Sequence, residues 1–131
     1  MRTKLTTVIL ATTLTGGALC AGTAASAGTG GAQGPYARAA AVVNADGSVV
    51  RSKGVIDVRR LDAGRYCIKL DADIDATKAV PVATKRWGAP WNASVFVDDQ
   101  ASQCGDSANQ ILIGAGNGSA GADVPFHVIV P

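Results

Sequence analysis

Gly64-Arg65-Tyr66-Cys67-Ile68-Lys69-Leu70 is the stretch that decides the fold. In an extended chain Tyr66, Ile68 and Leu70 share one face, while Arg65, Cys67 and Lys69 share the other. This strict period of two predicts a half-buried β-strand, with Cys67 on its polar side. A disulfide made from that side is expected to clip a loop across the outside of the sheet, not to join two sheets through the core.

Moving toward the N-terminus, Asp62-Ala63-Gly64 carries turn chemistry, and 55–61 reads as a strand with Ile56 and Val58 on one face and Asp57 and Arg59 on the other. Ser52-Lys53-Gly54 is a break, and 48–51 and 37–43 are further strands. Between them Asn44-Ala45-Asp46-Gly47 has Asn first and Gly last, which suits a type I turn with a left-handed glycine, the hairpin-with-bulge geometry.

Toward the C-terminus, 71–79 reads as a polar connection with one helical turn near 75–78, and 80–87 as a strand whose Pro81 favours an edge. Gly88-Ala89-Pro90 breaks it. Short strands are expected at 93–97 and 110–113, a Gly-rich loop at 114–121 and a last apolar strand at 124–130. All ten acids after residue 27 are Asp, and the chain has no Glu, a bias against helix because Asp competes for backbone hydrogen bonds. Seven to eight short strands with closely spaced turns predict an all-β fold, an antiparallel β-sandwich or barrel-like meander with one disulfide.

The first 27 residues read as a signal peptide: Met1-Arg2-Thr3-Lys4 is positive, 5–19 is mostly apolar, and Ala25-Ser26-Ala27 offers a cleavage site. No lipid-attachment box precedes Cys20, so a secreted, extracellular product is expected. It comprises a flexible Gly-rich leader at 28–35 and a single β domain at 36–131. Cys67 and Cys104 then form an even pair in an exported chain and read as a disulfide. On a chain-entropy basis this closure contributes about 3 to 4 kcal/mol.

Several of these segments, taken together, carry a family likeness. They are Ala41-Val42-Val43-Asn44-Ala45-Asp46-Gly47, Gly54-Val55, Gly64-Arg65-Tyr66-Cys67-Ile68, Val80-Pro81-Val82, Cys104 and Val124-Pro125-Phe126-His127-Val128-Ile129-Val130. The set resembles a group of small exported proteins of Gram-positive actinobacteria to which no activity is assigned. The resemblance supports the β-rich fold and the disulfide and implies no catalytic residue.

The formal charge of +2 includes Arg2 and Lys4; from residue 28 onward ten basic residues balance ten acidic ones. That balance argues against a nucleic-acid partner, which needs a basic footprint. All ten basic residues lie between Arg38 and Arg86, so a dipolar surface is one expectation. His127 is the only histidine and reads as a strand residue without the partners of a catalytic base. One histidine and a bonded cysteine pair make no zinc site. Asp71-Ala72-Asp73-Ile74-Asp75 has the spacing of a calcium-loop opening, but Ala76 and Val82 stand where that loop needs Gly and Glu. It reads as a solvated loop with at most weak cation affinity, and no cofactor is expected.

Lys85-Arg86-Trp87-Gly88-Ala89-Pro90-Trp91 is the candidate ligand-binding segment, with two indoles beside two cations around a turn. Buried, the indoles would close a small core; exposed, they would present flat faces to a ligand. The sequence points to a non-catalytic secreted binding module for an extracellular partner, a cell-wall polysaccharide or a protein. Two other readings are a secreted protease inhibitor presenting a disulfide-braced loop, with Lys85-Arg86 or the Cys104 loop as the candidates, and a self-associating structural protein.

Overall fold

The computed structural model describes residues 30–98, 101–105 and 108–131; the segment read as a signal peptide lies outside them. The strands are β1 (Ala39–Val43), β2 (Val49–Lys53), β3 (Val55–Asp62), β4 (Arg65–Leu70), β5 (Val82–Lys85), β6 (Ala93–Asp98), β7 (Gln110–Asn117), β8 (Ala120–Gly121) and β9 (Phe126–Val130). A single 3-10 turn, Ala101–Cys104, precedes β7.

Every ladder between strands is antiparallel, and the strands form two sheets, ordered β2-β1-β9-β5 and β3-β4-β7-β6, with β8 folded back on β7. The architecture is therefore a sandwich. Along two margins the chain steps directly from one sheet to the other: β2 runs into β3 through Gly54, and β5 into β6 through residues 86–92. Gly54 has φ +63°, and a Cβ there would run into Arg38 O and Ala39, so the crossover requires glycine.

The two predicted turns of the N-terminal half form. Asn44 N–H donates to Ser48 O at 2.9 Å, Gly47 takes φ +90°, and the β1–β2 ladder shifts register at Val42/Val43, as a bulged hairpin requires. Pro81 lies just outside β5, at the edge of its sheet.

The core lies between the sheets. Ala39, Ala41, Val43, Phe126, Val128 and Val130 enter from one side, and Val55, Tyr66, Ile68, Leu70, Ile111, Ile113 and Ala115 from the other. The rings of Tyr66 and Phe126 meet across the gap with centroids 5.1 Å apart. The Tyr66 hydroxyl lies 2.6 Å from Ala45 O and 3.2 Å from Asp123 Oδ1; the same carboxylate oxygen accepts from Arg60 Nε at 2.9 Å and Gly64 N at 3.0 Å.

Two expectations about the strands need correction. Ile56 does not share a face with Val58: it is the extra residue of a bulge between Val55 and Asp57, so it is exposed while Val55 and Val58 pack on the core. The 114–121 segment is not a loop, because β7 continues to Asn117 and turns into β8. Glycine there has a packing reason, since the Phe96 ring lies where a Gly114 side chain would be. Residues read as a flexible leader contribute backbone contacts from Gly30 onward, where Ser52 N–H donates to Gly30 O at 2.8 Å and Ala32 N–H to Ser52 O at 3.2 Å.

The disulfide joins Cys67 and Cys104, and it lies on the side of its sheet away from the main core. The loop clip is as expected, but the face is not polar at that point. Cys67, Cys104 and Leu112 are buried under the 3-10 turn with Leu61 and Ala101, a second small apolar cluster. Arg59 Nη2 donates to Cys104 O at 2.9 Å and fastens the clip to β3.

Replacing either cysteine by Ser should lower unfolding stability by about 2 to 5 kcal/mol, read from denaturant melts. Tyr66→Phe, which removes one buried hydroxyl while keeping the ring, should cost about 1 kcal/mol. The Arg60 hydrogen bond, ahead of the Gly64 and Tyr66 bonds, holds the Asp123 carboxyl below 3.8. Its contribution is therefore present at neutral pH and lost as pH falls through that lowered value. Melts of Asp123→Asn and the parent should accordingly differ at pH 7 and converge in strong acid.

Candidate functional site

The 86–92 connection is built by strand β5 ending against β9. Arg86 N–H donates to Pro125 O at 2.9 Å, the last main-chain bond of that edge. The chain then turns, with Ala89 N–H donating to Arg86 O at 3.2 Å and Gly88 at φ +95°, and Ala93 N–H donates to Pro90 O at 2.9 Å as β6 begins.

Side chains brace the same loop from two directions. Lys85 Nζ donates to Trp91 O at 2.7 Å and Pro90 O at 3.4 Å, tying the end of the loop to its start. Arg86 Nη1 donates to Asn44 Oδ1 at 2.9 Å, tying the loop to the β1–β2 turn. Lys85 and Arg86 thus point to different partners on different sides of β5, as alternation dictates. Both cations serve the loop's own shape.

Trp87 and Trp91 are 90% and 86% exposed, so they do not close the core. Ala89 packs there instead. The ring centroids are 6.1 Å apart and the planes stand at 89°, so the indoles make a corner, not one flat platform. Together with Lys85, Arg86, Gly88 and Ala89 they bound an open notch of about 350 Å³. Holding two large apolar side chains in water forgoes on the order of 2 kcal/mol each relative to burial.

The other candidates have ordinary structural surroundings. His127 is exposed on β9, opposite Val42 and Thr84 in the ladder, with Phe126 and Val128 facing inward. Burial, and then the charges of Arg86 and Arg51, hold its pKa below 6.5. The Asp71, Asp73 and Asp75 carboxylates do not converge. Asp73 Oδ2 sits 3.6 Å from Arg38 Nη2, while Asp75 accepts from Thr77 and pairs with Lys78 Nζ at 3.1 Å. Among the described residues no group of three or more His, Cys, Asp or Glu side chains is placed to hold a metal ion.

A broader shallow groove of about 650 Å³ crosses the outer face of β4, β6 and β7, floored by Gly114 and Gly116 and bordered by Phe96, Ser94 and Arg65. Sequence reading missed it, because 114–121 looked like a loop. Arg65 at its border bonds Asp62 and Gln103.

The fold and its exposed corner define a disulfide-clipped two-sheet β-sandwich with an aromatic loop at one margin. No protein-family model, curated protein or solved structure matches the chain.

Replacing Trp87 and Trp91 together by Ala should change stability by less than about 0.5 kcal/mol per site, because neither indole supports the core. Acrylamide should quench the parent's indole fluorescence as efficiently in the native as in the unfolded protein.

Proposed function

We propose that this protein is a non-catalytic, extracellular binding module whose Trp87–Trp91 corner contacts its ligand, with a cell-wall polysaccharide as the candidate partner. The single observation that carries the proposal is the near-complete exposure of both indoles on a loop fixed by Lys85, Arg86 and the β5–β9 ladder. A rigid loop that keeps aromatic faces in water binds without first paying to order them. Perpendicular indoles suit a sugar ring held face-on by one and edge-on by the other.

Export belongs to this reading. The Cys67–Cys104 bond, and the lack among described residues of a helix long and apolar enough to cross a membrane, are compatible with it. Against Lys85-Arg86 as a protease-inhibitor loop, both side chains, the ones a trypsin-like cleft would take, are engaged in bracing. Against edge-to-edge self-association, β3 carries two bulges and Asp57, Arg59, Arg60 and Asp62, and β2 is accompanied by Gly30 to Ala32.

Purified protein should co-sediment with insoluble bacterial cell wall, and the folded Trp87→Ala, Trp91→Ala variant should remain in the supernatant. Equal sedimentation of parent and variant, or of neither, would remove the aromatic corner as a binding element.

A further inference from the structure

The two sheets differ in charge. Strands β3, β4, β6, β7 and β8 carry Asp57, Asp62 and Asp98 among their basic residues, whereas β1, β2, β5 and β9 contain no acid at all and carry Arg51, Lys53, Lys85 and His127. Alternation and register place part of that charge in one place. Arg51 and His127 are the two ladder partners of Val42 on either side of β1, and Thr84 extends the row across β9. At about 4.8 Å per strand, Arg51 and His127 start roughly 10 Å apart, within reach of one extended arginine.

Arg86 completes the group. It lies two residues beyond Thr84 on the same side of β5, and its side chain crosses β9 to reach Asn44 at the end of β1. The charged groups felt by His127 are Arg86 and Arg51, both cations. The residues facing it from β1 and β5 are Val42 and Thr84. Neither arginine pairs with a carboxylate among the described residues; the four ion pairs there use Arg38, Arg60, Arg65 and Lys78. Lys53 adds charge, but its ammonium is tied to Gly34 O and Ala37 O.

Like charges held together without a counterion raise the energy of the folded chain, and an oxyanion relieves that cost. We infer that Arg51 and His127, on the outer face of the β2-β1-β9-β5 sheet, bind the anionic groups of a carboxylate- or phosphate-bearing glycan, with the Asn44-bound Arg86 adding its charge beside them, and that the sugars engage the adjacent Trp87–Trp91 corner. The inference deepens the binding reading above and rests on it for the sugar contact. Arg86 links the two parts, since its side chain lies on the sheet face and its neighbour is Trp87. A sheet face suits a polymer with repeating charge better than a small enclosed ligand.

Titration calorimetry with three soluble polymers tests this: polygalacturonate for carboxylates, poly(glycerol phosphate) for phosphates, and neutral dextran. At least one anionic polymer should bind more tightly than dextran and weaken as salt rises from about 20 to about 200 mM. Arg51→Gln with His127→Gln should weaken that binding by roughly tenfold or more. Lys69→Gln, an equal charge loss per site on the other sheet, should leave it unchanged. Bound anion favours the imidazolium, whose pKa in the free protein is held below 6.5, so the parent should bind more tightly as pH falls from neutrality into that lower range, and His127→Gln should lose that dependence.

Equal affinity for dextran, no anionic binding, or the same loss with Lys69→Gln would each overturn the inference. Anionic binding that needs Arg51 and His127 but survives Trp87→Ala with Trp91→Ala would keep the charged face and remove the aromatic corner. Loss with the tryptophan pair alone would do the reverse. Thermal melts of each variant confirm that folded protein is being compared; Arg51 and His127 are exposed, so their replacement leaves the core intact.

Discussion

Tyr66 is the side chain on which the two sheets and three connections converge. Its ring meets Phe126 across the core, setting how the sheets pack at that end. Its hydroxyl reaches Ala45 in the β1–β2 turn and Asp123, which in turn holds Arg60 and the Gly64 N–H of the β3–β4 turn. Burial first, then the Asp123 charge, pushes the phenol up to about 12, so it remains a hydrogen-bond donor at any physiological pH. A buried phenol with satisfied partners couples apolar packing to turn geometry, which aliphatic side chains do not.

That constraint extends to the exposed loop. Ala45 is adjacent to Asn44, and Asn44 accepts the Arg86 hydrogen bond that braces the start of the Trp87–Trp91 corner. The path from core to candidate site is therefore short: Tyr66 positions the turn, the turn positions Arg86, and Arg86 positions the indoles. Lys85 and the β5–β9 ladder secure the loop independently. Exposure of both tryptophans thus accompanies a fixed backbone, the combination expected of a presenting loop and not of one left over from packing.

The disulfide solves a different problem. A sandwich of this size has one principal core, and the outer face of its β3-β4-β7-β6 sheet would ordinarily be polar. Cys104 folds a 3-10 turn over Cys67 and Leu112 and makes that patch apolar, so the middle of β4 and β7 is covered on both faces. Among the described residues the opposite sheet has no such disulfide-held cover. Its strands carry no acid, and its outer face bears the exposed side chains of Arg51 and His127.

The strands and turns of this protein were legible from sequence because they follow local rules. Alternation at Tyr66, Ile68 and Leu70, the Asn44 to Gly47 turn, Pro81 beside an edge and one pair of cysteines depend only on neighbouring residues and on chain stereochemistry. Where a rule depended on contacts across the molecule, local reading failed. Ile56 was displaced by a bulge, Gly114 and Gly116 proved to be strand because they pair with neighbouring strands, with the Phe96 ring in the space of a Gly114 side chain, and the cysteine face was dried by a turn 37 residues away. The sequence by itself determined an all-β chain, its turns and the residue types of the candidate site. Only the tertiary structure decided that the indoles are exposed and that Arg51, Arg86 and His127 share one face, because burial and proximity are set by which strands become neighbours. That pairing is a property of the whole fold and of no single segment.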